Sequence, residues 1–191
     1  MPDLAAAKET LLAELREHSL VIGEVTLSSG ATAQYYVDAR RALLRPAGFL
    51  AAGELIAAAA AELGATAVGG PATAAIPPSC AALAVPAGRD LAGFFVRGER
   101  KQHGLQRWVE GPVEEGARCL VIEDTVTTGS SARTAAAAVR AAGAEVIGVL
   151  ALVDREEGGR EALAADGLDV LALATATEIV AAMDSAGASA Q

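Results

Sequence analysis

From residue 65 onward, short apolar runs alternate with segments patterned as helices, and this alternation leaves the chain few folds to choose from. The run 65–69 precedes a helical segment at 75–84, and the run 91–96 precedes a basic, polar stretch. The run 119–123 precedes a helical segment at 131–142 that ends at Gly143. The run 145–153 precedes a short helix near 159–165, and 169–173 precedes a last helix from about Thr177. Strands separated by helices at this spacing predict an α/β fold, a parallel sheet covered by helices on both faces. Ligands of such sheets bind beyond the carboxyl ends of the strands. Ahead of this region, Leu4, Leu11, Leu12 and Leu15 predict a helix over 3–18. Segments 24–27 and 34–37 read as two short strands around the turn Ser28-Ser29-Gly30, and a helix is expected from Pro46 to Glu62 with Gly64 just past its end.

A length of 191 residues predicts one domain with a core of useful size. Hydrophobic residues make up 52%, yet aromatics only 3%, so helices and sheet are expected to pack closely on small side chains. Glu54 and Glu62 interrupt the Ala-rich run at 51–63, which argues against a membrane span, and the N-terminus lacks a secretory pattern. Cys80 and Cys119 both stand in apolar context and read as buried thiols of a cytoplasmic protein rather than a disulfide. The tail 184–191 is expected to fray.

Chemistry concentrates in residues 119–131, Cys-Leu-Val-Ile-Glu-Asp-Thr-Val-Thr-Thr-Gly-Ser-Ser. An apolar strand ends in Glu123 and Asp124, and a hydroxyl-rich turn leads into a helix. Two carboxylates accept hydrogen bonds from a sugar diol. Loop amides, Thr and Ser hydroxyls and the positive helix end hold a phosphate. A ribose 5-phosphate needs both. Helix capping alone calls for one hydroxyl residue, whereas Thr125, Thr127, Thr128, Ser130 and Ser131 crowd around Gly129.

The net charge of −9 speaks against general nucleic-acid binding and requires a local cationic patch if the ligand is a polyanion. Residues 97–107 supply one, with Arg97, Arg100, Lys101 and Arg107 against Glu99. The segment 98–111 is long, polar and punctuated by Gly98, Gly104 and Gly111, which suits a lid. A positive lid over an anionic leaving group would neutralise it and exclude water. His103 could donate a proton or hydrogen bond there, and Trp108 is expected to anchor the lid base.

The string 119–131 resembles the signature of the type I phosphoribosyltransferases, which use 5-phosphoribosyl 1-diphosphate (PRPP). Three further segments are similar to the orotate members of that family: Leu27-Ser28-Ser29-Gly30 with Gln34-Tyr35-Tyr36-Val37-Asp38, Phe95-Val96-Arg97 through Lys101-Gln102-His103-Gly104, and Val153-Asp154-Arg155 with Gly158-Gly159. The resemblance implies a phosphoribosyltransferase fold with a small N-terminal hood at about 20–40 and a catalytic lid at about 97–110. It implies transfer of the phosphoribosyl group from PRPP to orotate, giving orotidine 5′-monophosphate and diphosphate in pyrimidine synthesis. It further implies Mg2+ held mainly through PRPP oxygens and a homodimer that shares its lids. By position, Arg97, Lys101 and His103 would meet diphosphate, with Lys101, His103 and Asp124 the catalytic set. Glu123 and Asp124 would bind the ribose hydroxyls, and Thr125, Val126, Thr127, Thr128, Gly129, Ser130 and Ser131 the 5′-phosphate. Thr127 and Arg155 would hold orotate, with backbone groups near Tyr35 and Tyr36 meeting the base. An Arg suits a planar carboxylate because its donors form a fixed fork. The alternative for Arg155 is a surface ion pair with Glu156 or Glu157.

The chain departs from the family pattern at three places. Many members carry Lys at the position of Ser28, a Tyr-Lys pair at Thr73-Ala74, and Arg-Lys at Arg97-Gly98. Arg100 can replace one of the three missing cations. Two alternatives therefore stay open at this point: a phosphoribosyltransferase for another base, and a PRPP-binding regulator without turnover.

Overall fold

The structure is a computed structural model and describes residues 2–26, 32–98 and 108–187. Helix α1, Leu4–His18, is capped by Asp3, whose side chain accepts from the Ala6 amide. Strands β1, Leu20–Thr26, and β2, Thr32–Val37, form an antiparallel hairpin from Leu20↔Val37 to Thr26↔Thr32. This is the expected hood hairpin, with both strands longer than the sequence pattern suggests. A short helix α2, Arg40–Leu43, follows and leads into α3, Pro46–Leu63, which closes on Gly64. Then come β3, Ala67–Pro71, α4, Ile76–Ala84, β4, Ala92–Val96, and β5, Val109–Glu110. The chain continues through β6, Arg118–Val126, α5, Ser130–Ala141, β7, Glu145–Asp154, α6, Gly159–Ala165, β8, Val170–Thr175, and α7, Ala176–Gly187.

The main sheet has the order β5-β4-β3-β6-β7-β8. All neighbours are parallel except β4 and β5, which pair antiparallel. The expected all-parallel sheet thus gains an antiparallel edge, formed by two residues from the end of the predicted lid. The order runs outward from β3 in one direction and from β6 in the other. The β3–β6 boundary is the switch point at which open α/β sheets bind ligands.

Apolar alternation along the strands builds one core on each face. Leu120 and Ile122 of β6 join Leu150 and Leu152 of β7 under α1 and α3, through Leu11, Leu15, Ala52, Ile56 and Ala60. Cys119 and Val121 join Val149 and Ala151 under α5 and α6, through Ala135, Val139 and Leu163. The small residues of α3 and α4 permit contact of backbones: a Cβ on Gly53 would lie 2.4 Å from the Ala81 carbonyl oxygen. Helix α3 is long and apolar enough by composition to cross a membrane. Its apolarity is accounted for by the core, where Ala52, Ile56, Ala57 and Ala60 are fully buried. Cys119 is buried as expected, but Cys80 is exposed, and neither forms a disulfide.

Candidate active site

The acidic pair lies inside β6 rather than beyond its end. β6 stays paired with β7 through Glu123↔Ala151, Thr125↔Val153 and Val126↔Asp154, so the strand continues past both carboxylates. The plain alternation of faces is broken across the pair, since Ile122 packs in the α1–α3 core and Val126 in the α5 core.

The two acids are unequal. Glu123 is 6% exposed, and its Oε2 has no hydrogen-bond partner among the described residues. Burial, reinforced by the charge of Asp124, pushes its carboxyl up to about 8. Asp124 is less buried, and its Oδ1 accepts from the Thr125 amide at 2.7 Å. Burial raises its pKa too, while the Thr125 amide and the Arg40 cation pull it back down and Asp38 opposes them. Asp38 itself holds Arg40, Oδ1 to Nε, at 2.7 Å. Asp38 and Arg40 are thus parts of the site's electrostatics that the motif reading missed. The only sequence signal for them was their position just after the hood strand.

Beyond Val126 the turn Thr127-Thr128 leads to Gly129, which caps α5 in the left-handed conformation at φ 76°. A glycine cap carries no side-chain acceptor, and none bonds the first turn of α5 from that position. The leading amides of α5 are therefore left to a ligand, with exposed Ser130 and Ser131 beside them. The turn is braced from below by α6. A Cβ on Gly159 would lie 2.5 Å from the Thr127 carbonyl oxygen, so only glycine lets α6 approach this closely.

Arg155 follows β7 directly, and its amide donates to the Val126 carbonyl at 2.9 Å. This links the end of β7 to the phosphate turn. The Arg155 side chain is buried, not on the surface; it pairs with Glu157 at 2.7 Å, and its guanidinium lies 5.9 Å from the centre of the Tyr36 ring. The ion pair named as the alternative is formed with Glu157, but by a buried arginine rather than a surface one. The hood strand β2 thus comes over the end of β7. Tyr35 also lies in β2, opposite Ile22.

Arg97 leaves β4, its amide bonded to the Trp108 carbonyl at 2.9 Å and its guanidinium 3.6 Å from Glu110. The Trp108 carbonyl thus fixes the start of β5 to the end of β4, while its side chain, expected to pack at the lid base, is exposed. Lys101 and His103, like Ser28, lie outside the described residues. A Cβ on Gly98 would meet none of the described residues within 4 Å. Among the described residues no group of three or more His, Cys, Asp or Glu could hold a metal ion. Of the two acids only Asp124 is partly exposed, so it is the one a hydrated cation could reach.

A carboxylate pair on the central strand, an open helix N-terminus after it and an Arg at the next strand end define a phosphoribosyltransferase, and residues 42–169 match the family described as Phosphoribosyl transferase domain. The orotate phosphoribosyltransferase of Corynebacterium glutamicum is 47% identical over 86% of this chain and 89% of its own length. A crystal structure of Mycobacterium tuberculosis orotate phosphoribosyltransferase with Fe(III) dicitrate superposes with a TM-score of 0.82 at 42% identity, covering 91% of this chain and 98% of that one. The same enzyme in complex with PRPP gives a TM-score of 0.77 at 37% identity, with the same coverage. The chain belongs to the orotate phosphoribosyltransferases.

Proposed function

We propose that the chain transfers the 5-phosphoribosyl group of PRPP to orotate with the following division of labour. Glu123 and Asp124 take the ribose 2- and 3-hydroxyls. Residues 125–131 cradle the 5′-phosphate on the free amides of α5. Thr127 and Arg155 hold orotate, with the Tyr35–Tyr36 stretch against the base. Arg97, Lys101 and His103 meet the diphosphate. The bond from C1 of the ribose to the diphosphate oxygen breaks, its electrons leave with diphosphate, and a ring nitrogen of orotate forms the new bond to C1 as its N–H proton is given up and leaves with the diphosphate. The cations of residues 97–103 neutralise the leaving charge, and His103 can supply a proton to a diphosphate oxygen. Excluding water protects the cationic C1 from hydrolysis. Mg2+, when bound on PRPP oxygens, adds charge neutralisation of the diphosphate.

One observation carries this reading: Val126 and Asp154 are paired strand neighbours, so the phosphate turn and Arg155 start from adjacent strand ends. A phosphorylated ribose and a planar carboxylate can then lie side by side. The further reading is of a cytoplasmic homodimer whose lids reach the neighbouring site. Exposed Leu44 and Leu50, at the α2–α3 junction, offer apolar surface for such a contact. The whole chain forms a single catalytic unit.

The test is a turnover assay with Mg2+, PRPP and orotate on the purified chain. Orotate is consumed, and Lys101→Ala lowers turnover about 10-fold or more, the scale for losing a transition-state charge contact. Orotate left untouched while another base is ribosylated would overturn the reading.

A further inference from the structure

Among the described residues, Glu156 is the one non-glycine with a positive φ, at 59°. A side chain makes this left-handed conformation unfavourable, and glycine adopts it freely. Gly158 and Gly159 stand close by, yet the position is held by an acid. What Glu156 offers over glycine is its carboxylate, and the contacts of that carboxylate are specific. Its Oε2 accepts the Thr177 amide at 2.8 Å, in the first turn of α7. The Glu156 amide donates to Asp154 Oδ1 at 2.9 Å, and Asp154 Oδ2 takes Arg160 Nε at 3.1 Å.

The far side of this link is itself fastened. Thr175 and Glu178 form a reciprocal cap on α7, Thr175 N to Glu178 Oε2 at 2.8 Å and Glu178 N to Thr175 Oγ1 at 3.1 Å. Lys8 of α1 pairs with Glu178 at 3.2 Å and also donates to the Leu173 carbonyl. The near side is the loop that begins with Arg155. Glu156 therefore ties the Arg155 loop to a helix terminus that is locked to α1.

We propose that Glu156 is a positioning residue for the orotate subsite: its carboxylate pins the 155–158 loop to α7 and so sets how Arg155 meets the carboxylate of the acceptor base. This rests on the reading of Arg155 as the orotate-binding residue. Its own hydrogen bonds go to Thr177 and Asp154 and to neither the acidic pair nor residues 127–131, so its effect is expected to fall first on the acceptor half of the site.

Steady-state kinetics of the full chain test it. Glu156→Gly keeps the backbone conformation available and removes the carboxylate, so folding is not at issue. The expected result is an orotate KM raised about 10-fold, the scale of a misplaced binding group, with PRPP KM and melting temperature near the parent values. Glu156→Gln retains an acceptor oxygen for the Thr177 amide and restores most of the orotate KM. An unchanged orotate KM in Glu156→Gly, or a PRPP KM that rises in step with it, overturns the proposal. Arg155→Gln is measured alongside. If it raises the orotate KM while Glu156→Gly does not, only the role of Glu156 falls; if it leaves the orotate KM unchanged, the reading of Arg155 falls with it.

Discussion

The Arg155 guanidinium lies over the ring of Tyr36, 5.9 Å from its centre, and joins the hood hairpin to the end of β7. Two segments distant in the chain meet at this contact. Cation–π contacts of this length are worth about 0.5–1 kcal/mol at partly exposed sites. Tyr36→Ala is expected to raise the orotate KM by roughly 2- to 5-fold, the equivalent of that energy. Tyr36→Phe keeps the ring and should stay near the parent value. Equal effects of both variants on orotate KM would show that the hydroxyl, not the ring, matters.

Glu123 gives a stability signature with a definite sign. Its folded pKa is raised to about 8 from an ordinary 4.5 by burial. An acid raised on folding favours the native state while protonated, so its contribution is present at low pH and is lost as pH rises between these two values. Glu123→Gln removes that dependence. Its melting temperature should exceed the parent's at pH 8 by about 2–4 °C per kcal/mol relieved, and the gap should close towards pH 4.5. The same variant should lose PRPP affinity if this carboxylate binds the ribose diol as proposed. A melting-temperature gap that does not change with pH would contradict the assignment.

Gly159 underpins the phosphate turn. Gly159→Ala would drive a Cβ to 2.5 Å from the Thr127 carbonyl oxygen and 2.6 Å from Val126 Cγ1. Overpacking of this kind costs about 1–3 kcal/mol. Chemical denaturation should show the loss. PRPP KM should rise more than orotate KM, because α6 presses on the turn proposed to hold the 5′-phosphate.

The missing lysine at Gly98 can be restored with no clash among the described residues, since none of them lies within 4 Å of a Cβ there. Gly98→Lys adds a cation beside Arg97 where diphosphate is expected. PRPP KM should fall by about 2- to 5-fold at low salt, the effect of a single partly exposed charge contact, and the gain should shrink as salt is added. A gain that salt leaves untouched would point to a packing effect instead.

Much of the fold was legible because its signals are local. Gly64 in the left-handed conformation ends α3, and Gly143 follows the end of α5, where the sequence placed them. The parts that were not legible depend on pairing between distant residues. The end of β6 was read at Glu123, but its ladder to β7 holds as far as Val126↔Asp154. The two-residue strand β5 exists only because β4 offers it an edge, through Phe95↔Glu110 and Val96↔Val109. The candidate site follows the same division. Its carboxylates and hydroxyls stand in one string, so the motif revealed them. Asp38 stands in the hood segment, Arg40 just after it and Glu156 beside Arg155, but the groups they act on, Asp124 and the Thr177 amide, are distant in sequence, so spacing did not reveal their roles.

The sheet order has a thermodynamic consequence. Arg155 and the phosphate turn become neighbours only when β6 and β7 zip together, and Tyr36 joins them only when the hairpin docks. An unfolded chain therefore carries no trace of the pocket, and its affinity for a ligand that spans these parts is negligible. Every molecule of substrate bound is then a vote for the native sheet, and the resistance of this protein to heat and proteolysis should track the nucleotide precursor supply around it.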